Sequence, residues 1–286
     1  MDEAERKMKT IGIIGGTGKL GQWFKKFFEK NNCKVLIAGR KTELTPRECA
    51  IKCDVVIISV PINTTVEVIK DIGPFVREDA LLMDFTSLKK EPVETMLKYS
   101  KAAVIGAHPV FGPSVETIKN QTVVLCPVRP KHWLSWLRDI FEKNGALVRI
   151  TTPEQHDKMM SIIQGITHFS TISVAHALKK LGMDIEESLH YTSPIYKLRM
   201  DMVGRLLNQD PSLYADIELL NPENKKSIKE YIKSTQKLMK IIQKNDRKGF
   251  IKFFKEGADF LGDFKKEATE YSDYLIEQLV KKGRLR

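Results

Sequence analysis

Short, unbroken apolar runs recur through the first half of the chain, each followed by a stretch whose apolar positions fall at helical spacing. The runs are KTIGIIG (9–15), KVLIAG (34–39), DVVIISV (54–60), ALLMDF (80–85), AAVIGA (102–107), TVVLCPV (122–128) and ALVRIT (146–151). Strands that are apolar on both faces belong in a parallel sheet covered by helices on both sides. The pattern therefore predicts an α/β fold: an N-terminal, Rossmann-type, doubly wound sheet. It changes at Thr151-Thr152-Pro153, where a threonine cap and an early proline open a helix expected over 154–181. Beyond it lie helical patterns at 194–208, 211–219, 223–245 and 247–282, with no strand signal. The expected organisation is a dinucleotide-binding domain over 1–152 and an all-helical substrate and dimerisation domain over 153–286. The stretch MMSIIQGITHFSTISVAHAL is apolar nearly all round, which predicts burial in a subunit interface and hence a homodimer.

Composition sets the class without changing this outline. With 286 residues, 42% of them hydrophobic, the chain can build two domains. The net charge of +11 is spread along helices such as NKKSIKEYIK and QKNDRKGFIKFFK. Solvated helix faces account for that spread better than a nucleic-acid patch, while the positive field helps to gather an anionic substrate. No apolar stretch approaches a membrane span, and MDEAERKMK lacks the apolar centre of a signal peptide. A cytoplasmic enzyme with no membrane or nucleic-acid partner is expected. The four cysteines form no C-x-x-C pair and read as reduced core thiols; no metal-ligand spacing appears, so no metal is expected.

The chemistry begins at GGTGKLGQWF, where Gly16, Gly18 and Gly21 hold the G-x-G-x-x-G spacing between a strand and a helix. The first glycine permits the tight turn, the second lets backbone approach a pyrophosphate, and the third packs helix on strand. Cofactor contacts are expected from Gly16, Thr17, Gly18, Lys19, Leu20 and Gly21. Where an NAD-preferring site places a carboxylate at the end of the second strand, this chain has Gly39-Arg40-Lys41. A guanidinium there can hold a 2′-phosphate, so Arg40 leans the expectation from NAD toward NADP. Ser87, Lys89 and His108 follow the fourth and fifth strands in DFTSLKKEPV and GAHPVFGP, at the edge where such sheets bind ligands. Each also reads as an ordinary structural group: a helix cap, a solvated charge, a satisfied imidazole. Gln164 and His168 are spaced i, i+4 on an otherwise apolar helix. Lys197, Asp201 and Arg205 make successive i+4 steps, the spacing of a salt-bridge ladder.

Taken together, GGTGKLGQWF, DFTSLK, AHPVFGP, QGITHF and TSPIYKLRMDMVGRLLNQDPSLYADI resemble the prephenate dehydrogenases, the TyrA family of tyrosine biosynthesis, in order and over nearly the whole chain. The likeness is to the dehydrogenase part of the enterobacterial bifunctional enzymes, and the reading is of the dehydrogenase alone. The resemblance implies oxidative decarboxylation of prephenate to 4-hydroxyphenylpyruvate with NAD(P), and tyrosine as a candidate inhibitor. It implies that His108 accepts a hydrogen bond from the substrate's 4-hydroxyl, and that Ser87 bonds the same hydroxyl and orients the histidine. It places Arg205 on the ring carboxylate, and Lys89, Gln164 and His168 at positions of activity or recognition. Lys197 departs from the enterobacterial pattern, which has arginine there. The alternatives are an arogenate dehydrogenase or a non-catalytic NADP-sensing protein; a sensor needs the glycine turn but not a base.

Overall fold

Each of the seven apolar runs forms a strand: β1 (Thr10–Ile14), β2 (Lys34–Ala38), β3 (Val55–Ile58), β4 (Leu81–Asp84), β5 (Ala103–Pro109), β6 (Thr122–Arg129) and β7 (Leu147–Ile150). The computed structural model describes residues 8–283. The strands make one sheet in the order β2-β1-β3-β4-β5-β6-β7. Helices α1 (Lys19–Lys30), α2 (Pro46–Lys52), α3 (Ile62–Ile72), α4 (Lys90–Tyr99) and α5 (Trp133–Lys143) cross between strands. One side of the sheet buries Phe24, Phe28, Leu137 and Phe141 from α1 and α5, and the other buries Cys49, Ile69, Val93 and Met96 from α2, α3 and α4. All four cysteines are reduced and buried.

The sheet is not wholly parallel. β6 runs antiparallel to β5, with His108 opposite Val124, while β7 is again parallel to β6. The reason lies in the connection: no helix separates β5 from β6, and only a crossover can return a parallel strand.

The helix expected over 154–181 is three pieces: α6 (Pro153–Met160), a π-helical segment (Ser161–Ile166) and α7 (Thr167–Lys180). The widened turn occurs where Gly165 lies so close to Asn224 that an added Cβ would sit 2.6 Å from its Oδ1. Next come α8 (Ile185–His190), α9 (Pro194–Leu207), α10 (Pro211–Leu220) and α11 (Asn224–Gln243). α8 was not anticipated; Asp184 caps it by accepting from the backbone N–H of Glu186 at 2.9 Å and of Glu187 at 3.3 Å. The last expected helix is broken into α12 (Arg247–Leu261) and α13 (Phe264–Lys281), because Gly262 adopts φ +52°, a conformation that stops a helix.

Two compact units result. The first runs to Met160 and includes Leu219–Asn221; the second comprises Ser161–Glu218 and the chain from Pro222 onward. The first unit includes α6, whose side chains pack into it: Asp157 accepts from the backbone of Lys89 and Lys90. In the second unit α7 has no buried residue within the protomer, and Ile162, Ile163, Leu213, Phe254 and Phe260 are exposed.

Candidate active site

The carboxyl ends of the parallel strands β1, β3, β4 and β5 lie along one edge of the sheet. The glycine turn follows β1 at that edge. Gly15 has φ +84°, and a Cβ there would meet the Ser59 carbonyl oxygen at 2.3 Å, so the turn tolerates only glycine. Gly21 packs α1 onto the turn, since its Cβ would fall 2.7 Å from the Gly16 Cα. Gly18 is the N-cap of α1 and no side chain caps that helix. Thr17, Gly18 and Lys19 are exposed, Leu20 half-buried. An uncapped helix start behind a glycine turn is the donor set a pyrophosphate requires, so the residues present fit a dinucleotide. Arg40 is exposed in the loop after β2, and that loop is held close to the turn: a Cβ on Gly39 would lie 3.9 Å from Thr17 Oγ1.

After β4 the chain turns through Thr86, whose N–H donates to Asp84 Oδ2 at 3.0 Å and whose hydroxyl lies 2.5 Å from the same oxygen. Ser87 is half-buried in this turn. Lys89 is fully buried, its ammonium paired with Asp84 and donating to the Ala107 carbonyl at 2.7 Å. Its charge is spent inside the protein, where an unpaired ammonium would be prohibitively costly, and it ties the β4 turn to the residue before His108.

His108 ends β5 and is 3% exposed. Its Nδ1 lies 2.8 Å from His156 Nε2, and His156 Nδ1 lies 2.7 Å from Asp157 Oδ1. Asp157 also accepts from the backbone N–H of Lys89 at 2.8 Å and, through Oδ2, of Lys90 at 3.0 Å. Asn221 donates to the Asp157 carbonyl at 2.9 Å, fixing α6 in place. Burial, then the neighbouring His156 and the Lys89 ammonium, hold the His108 imidazole well below its ordinary range. Burial also lowers His156, against the pull of Asp157. Both rings are accordingly neutral near pH 7. Asp84, His156 and Asp157 were missed in the sequence. No signal set His156 and Asp157 apart within EQHDK, the polar run that opens the helix.

The remaining expected residues belong to the second unit. His168 Nδ1 stands 3.2 Å from Glu218 Oε1, and the His168 ring meets Tyr214 edge-on at 4.8 Å between centroids. Gln164 Oε1, in the π-helical segment, is buried without a protein partner. Burial raises the Tyr214 phenol while the nearby Arg205 guanidinium lowers it, which places Arg205 in the same neighbourhood. Arg205 itself is exposed within the protomer. The ladder spacing is realised between Lys197 and Asp201, 2.5 Å apart. Among the described residues no His, Cys, Asp and Glu side chains are grouped to hold a metal ion, and no helix is long and apolar enough to cross a membrane.

A mostly parallel sheet with a glycine cradle at its carboxyl edge is the arrangement of a Rossmann-type nucleotide-binding domain, here followed in sequence by a helical unit. Residues 30–150 match the family model for the prephenate dehydrogenase nucleotide-binding domain, and residues 152–256 the one for the prephenate dehydrogenase dimerization domain. A probable arogenate/prephenate dehydrogenase of Methanocaldococcus jannaschii is 40% identical over 95% of this chain and 65% of that protein. The T-protein of Haemophilus influenzae is 36% identical over 94% of this chain and 71% of its own length. The chain belongs to the prephenate dehydrogenase family. Its fold is that of the Aquifex aeolicus prephenate dehydrogenase solved with hydroxyphenyl propionate and NAD+: TM-score 0.70, 21% identity, 91% of this chain and 99% of that one. A Synechocystis arogenate dehydrogenase is similar at TM-score 0.68 and 17% identity, over 90% and 99% of the two chains.

Proposed function

We propose that the chain is an NAD(P)-dependent dehydrogenase that converts prephenate to 4-hydroxyphenylpyruvate and carbon dioxide, working as a cytoplasmic homodimer. The observation that carries this reading is His108: a neutral imidazole at the carboxyl end of β5 whose Nδ1 lies 2.8 Å from His156 Nε2, so that its Nε2 is the nitrogen assigned here to substrate. A neutral imidazole can take a hydroxyl proton, which is worth about 10²- to 10⁴-fold in rate. A bound nicotinamide would supply the hydride acceptor for C4 of the substrate. His108 holds the proton of the 4-hydroxyl as that carbon becomes a carbonyl. The bond to the ring carboxylate then breaks, its electron pair completes the aromatic ring, and the proton returns to the phenolic oxygen. Ser87 shares the hydroxyl with His108, and Arg205 holds a substrate carboxylate by charge-assisted hydrogen bonds. Gln164 and His168 serve recognition of the remaining substrate groups, and tyrosine is the candidate inhibitor. Gly16, Thr17, Gly18, Lys19, Leu20 and Gly21 hold the pyrophosphate, and Arg40 the 2′-phosphate of NADP.

A second reading, arogenate as substrate, is supported by the name of the Methanocaldococcus relative and by the Synechocystis neighbour. The test is a matrix of prephenate or arogenate with NAD or NADP, following reduced cofactor. Prephenate with NADP should turn over best. No reduction in any of the four combinations would refute the enzymatic reading, and turnover of arogenate alone would replace the substrate.

A further inference from the structure

His108 is useful as a base only in one of its two neutral tautomers, and its neighbours determine which. We propose that Asp157 and His156 form a positioning relay that keeps the proton of neutral His108 on Nδ1 and so presents Nε2 as the lone pair facing substrate. The proposal rests on the reading of His108 as the base.

The argument counts protons along a chain of short contacts. The Asp157 carboxylate accepts two backbone N–H groups, from Lys89 and Lys90, which pin both of its oxygens at the start of α4. Its Oδ1 lies 2.7 Å from His156 Nδ1. A carboxylate can only accept there, so Nδ1 of His156 carries the proton and Nε2 of the same ring is a lone pair. That lone pair lies 2.8 Å from His108 Nδ1, and one proton must sit between them. His108 Nδ1 is the donor, and its Nε2 is left unprotonated. The reverse arrangement, with His156 donating to His108, would set a lone pair of His156 against the carboxylate at hydrogen-bond distance. It would also leave His108 with its proton on the side of the substrate.

The surroundings keep the relay in its neutral form. Lys89 from the turn before α4 disfavours a proton on either ring, and Asp84 and Asp157 act in the opposite sense on His156; burial outweighs them. When His108 takes the substrate proton, both of its nitrogens become donors. The Nδ1–H bond to His156, itself backed by Asp157, is already in place to stabilise the new charge. The logic is that of a base oriented by a third group, in which the wrong tautomer, not lost geometry, removes the activity. His156 touches neither substrate nor cofactor in this scheme, and it is a positioning residue.

The test reads the tautomer directly. Ring nitrogens of the full-length protein, labelled with ¹⁵N-histidine, are assigned by comparison with His108→Asn and followed near neutral pH without substrate. His108 should show a protonated Nδ1 and a pyridine-type Nε2. In His156→Phe, which cannot accept the Nδ1–H bond, the signal should shift toward the Nε2-protonated form. The kcat should fall about 10- to 100-fold, the range typical of partners that orient a reactive ligand, while KM holds. His156→Gln, whose side-chain oxygen can take the place of Nε2, should restore the Nδ1–H form and most of kcat. An Nε2-protonated His108 in the unaltered protein overturns the relay, as does a His156→Phe protein with unchanged tautomer and kcat. If His156→Phe does not fold, the spectra of the unaltered protein and His156→Gln still decide. Because the tautomer is read without substrate, failure of the proposed reaction and failure of the relay give different results.

Discussion

Lys89→Met separates a structural ammonium from a substrate contact. The Lys89 and Asp84 side chains are both fully buried, and among the described residues the ammonium bonds only Asp84 and the Ala107 carbonyl. Its stem passes over Gly106, where an added Cβ would lie 3.1 Å from Lys89 Cδ. Methionine fills nearly the same stem volume but strands the Asp84 carboxylate, whose Oδ1 already lacks a protein partner. Removing one member of a buried pair costs about 3–5 kcal/mol, because the remaining charge keeps its desolvation penalty. For a unit of this size that corresponds to a Tm lowered by about 6–20 °C. Adding Asp84→Asn removes the stranded charge and should recover part of that loss, and the double-mutant cycle by urea unfolding should show an interaction of about 0.5–3 kcal/mol between the two positions. Kinetics supply a second readout. Loss of the Lys89 charge relieves the electrostatic pressure against protonating His108, so the acid limb of kcat/KM should move to higher pH in the single variant. A Lys89→Met protein that stays within about 1 kcal/mol of the original while its KM rises would refute this reasoning and restore Lys89 to the substrate.

Further outcomes are expected at other positions. His108→Asn should lower turnover by about 10²- to 10⁴-fold while binding of the dinucleotide, followed by fluorescence titration, persists. Arg205→Gln should mainly raise the Michaelis constant, by about 10- to 150-fold for a lost charge-assisted contact, and an unchanged constant would assign Arg205 to the helix surface. Arg40→Asp should shift the ratio of kcat/KM values from NADP toward NAD; an unmoved ratio would remove the 2′-phosphate contact. Stability should fall on acidification. His108 and His156 have folded values below the unfolded imidazole value of about 6.5, so the unfolded chain binds more protons in that window. Each ring then costs at most about 1.4 kcal/mol per pH unit, and only between about 6.5 and its lowered folded value, with the full stability regained above that window, as denaturant titrations across pH would show.

All seven strands could be read from the sequence because a strand buried on both faces must be apolar at every position, and that requirement is local. The spacing of Gly16, Gly18 and Gly21 was legible because it is local, and Gly21 meets Gly16 itself, whereas Gly15 answers to the Ser59 carbonyl beyond β3. Helix interruptions were not legible. The π-helical segment answers to Asn224, far along the chain, and only the close approach of that side chain to Gly165 explains it. The antiparallel turn of β6 likewise depends on what the β5 to β6 connection lacks rather than on the strands themselves. Residue types at the edge of the sheet could suggest His108 as a base, but not what holds it.

The sequence by itself determined which segments are strands, where the glycine turn falls and which imidazole stands at the carboxyl end of β5, since each is set by neighbours along the chain. The tertiary structure alone decided that Lys89 is spent on Asp84 and that His108 is backed by His156 and Asp157. The His108–His156 contact spans 48 positions and the Lys89–Asp157 contact 68, and although Lys89 and Asp84 are only five apart, burial decides which buried charge or lone pair finds which partner.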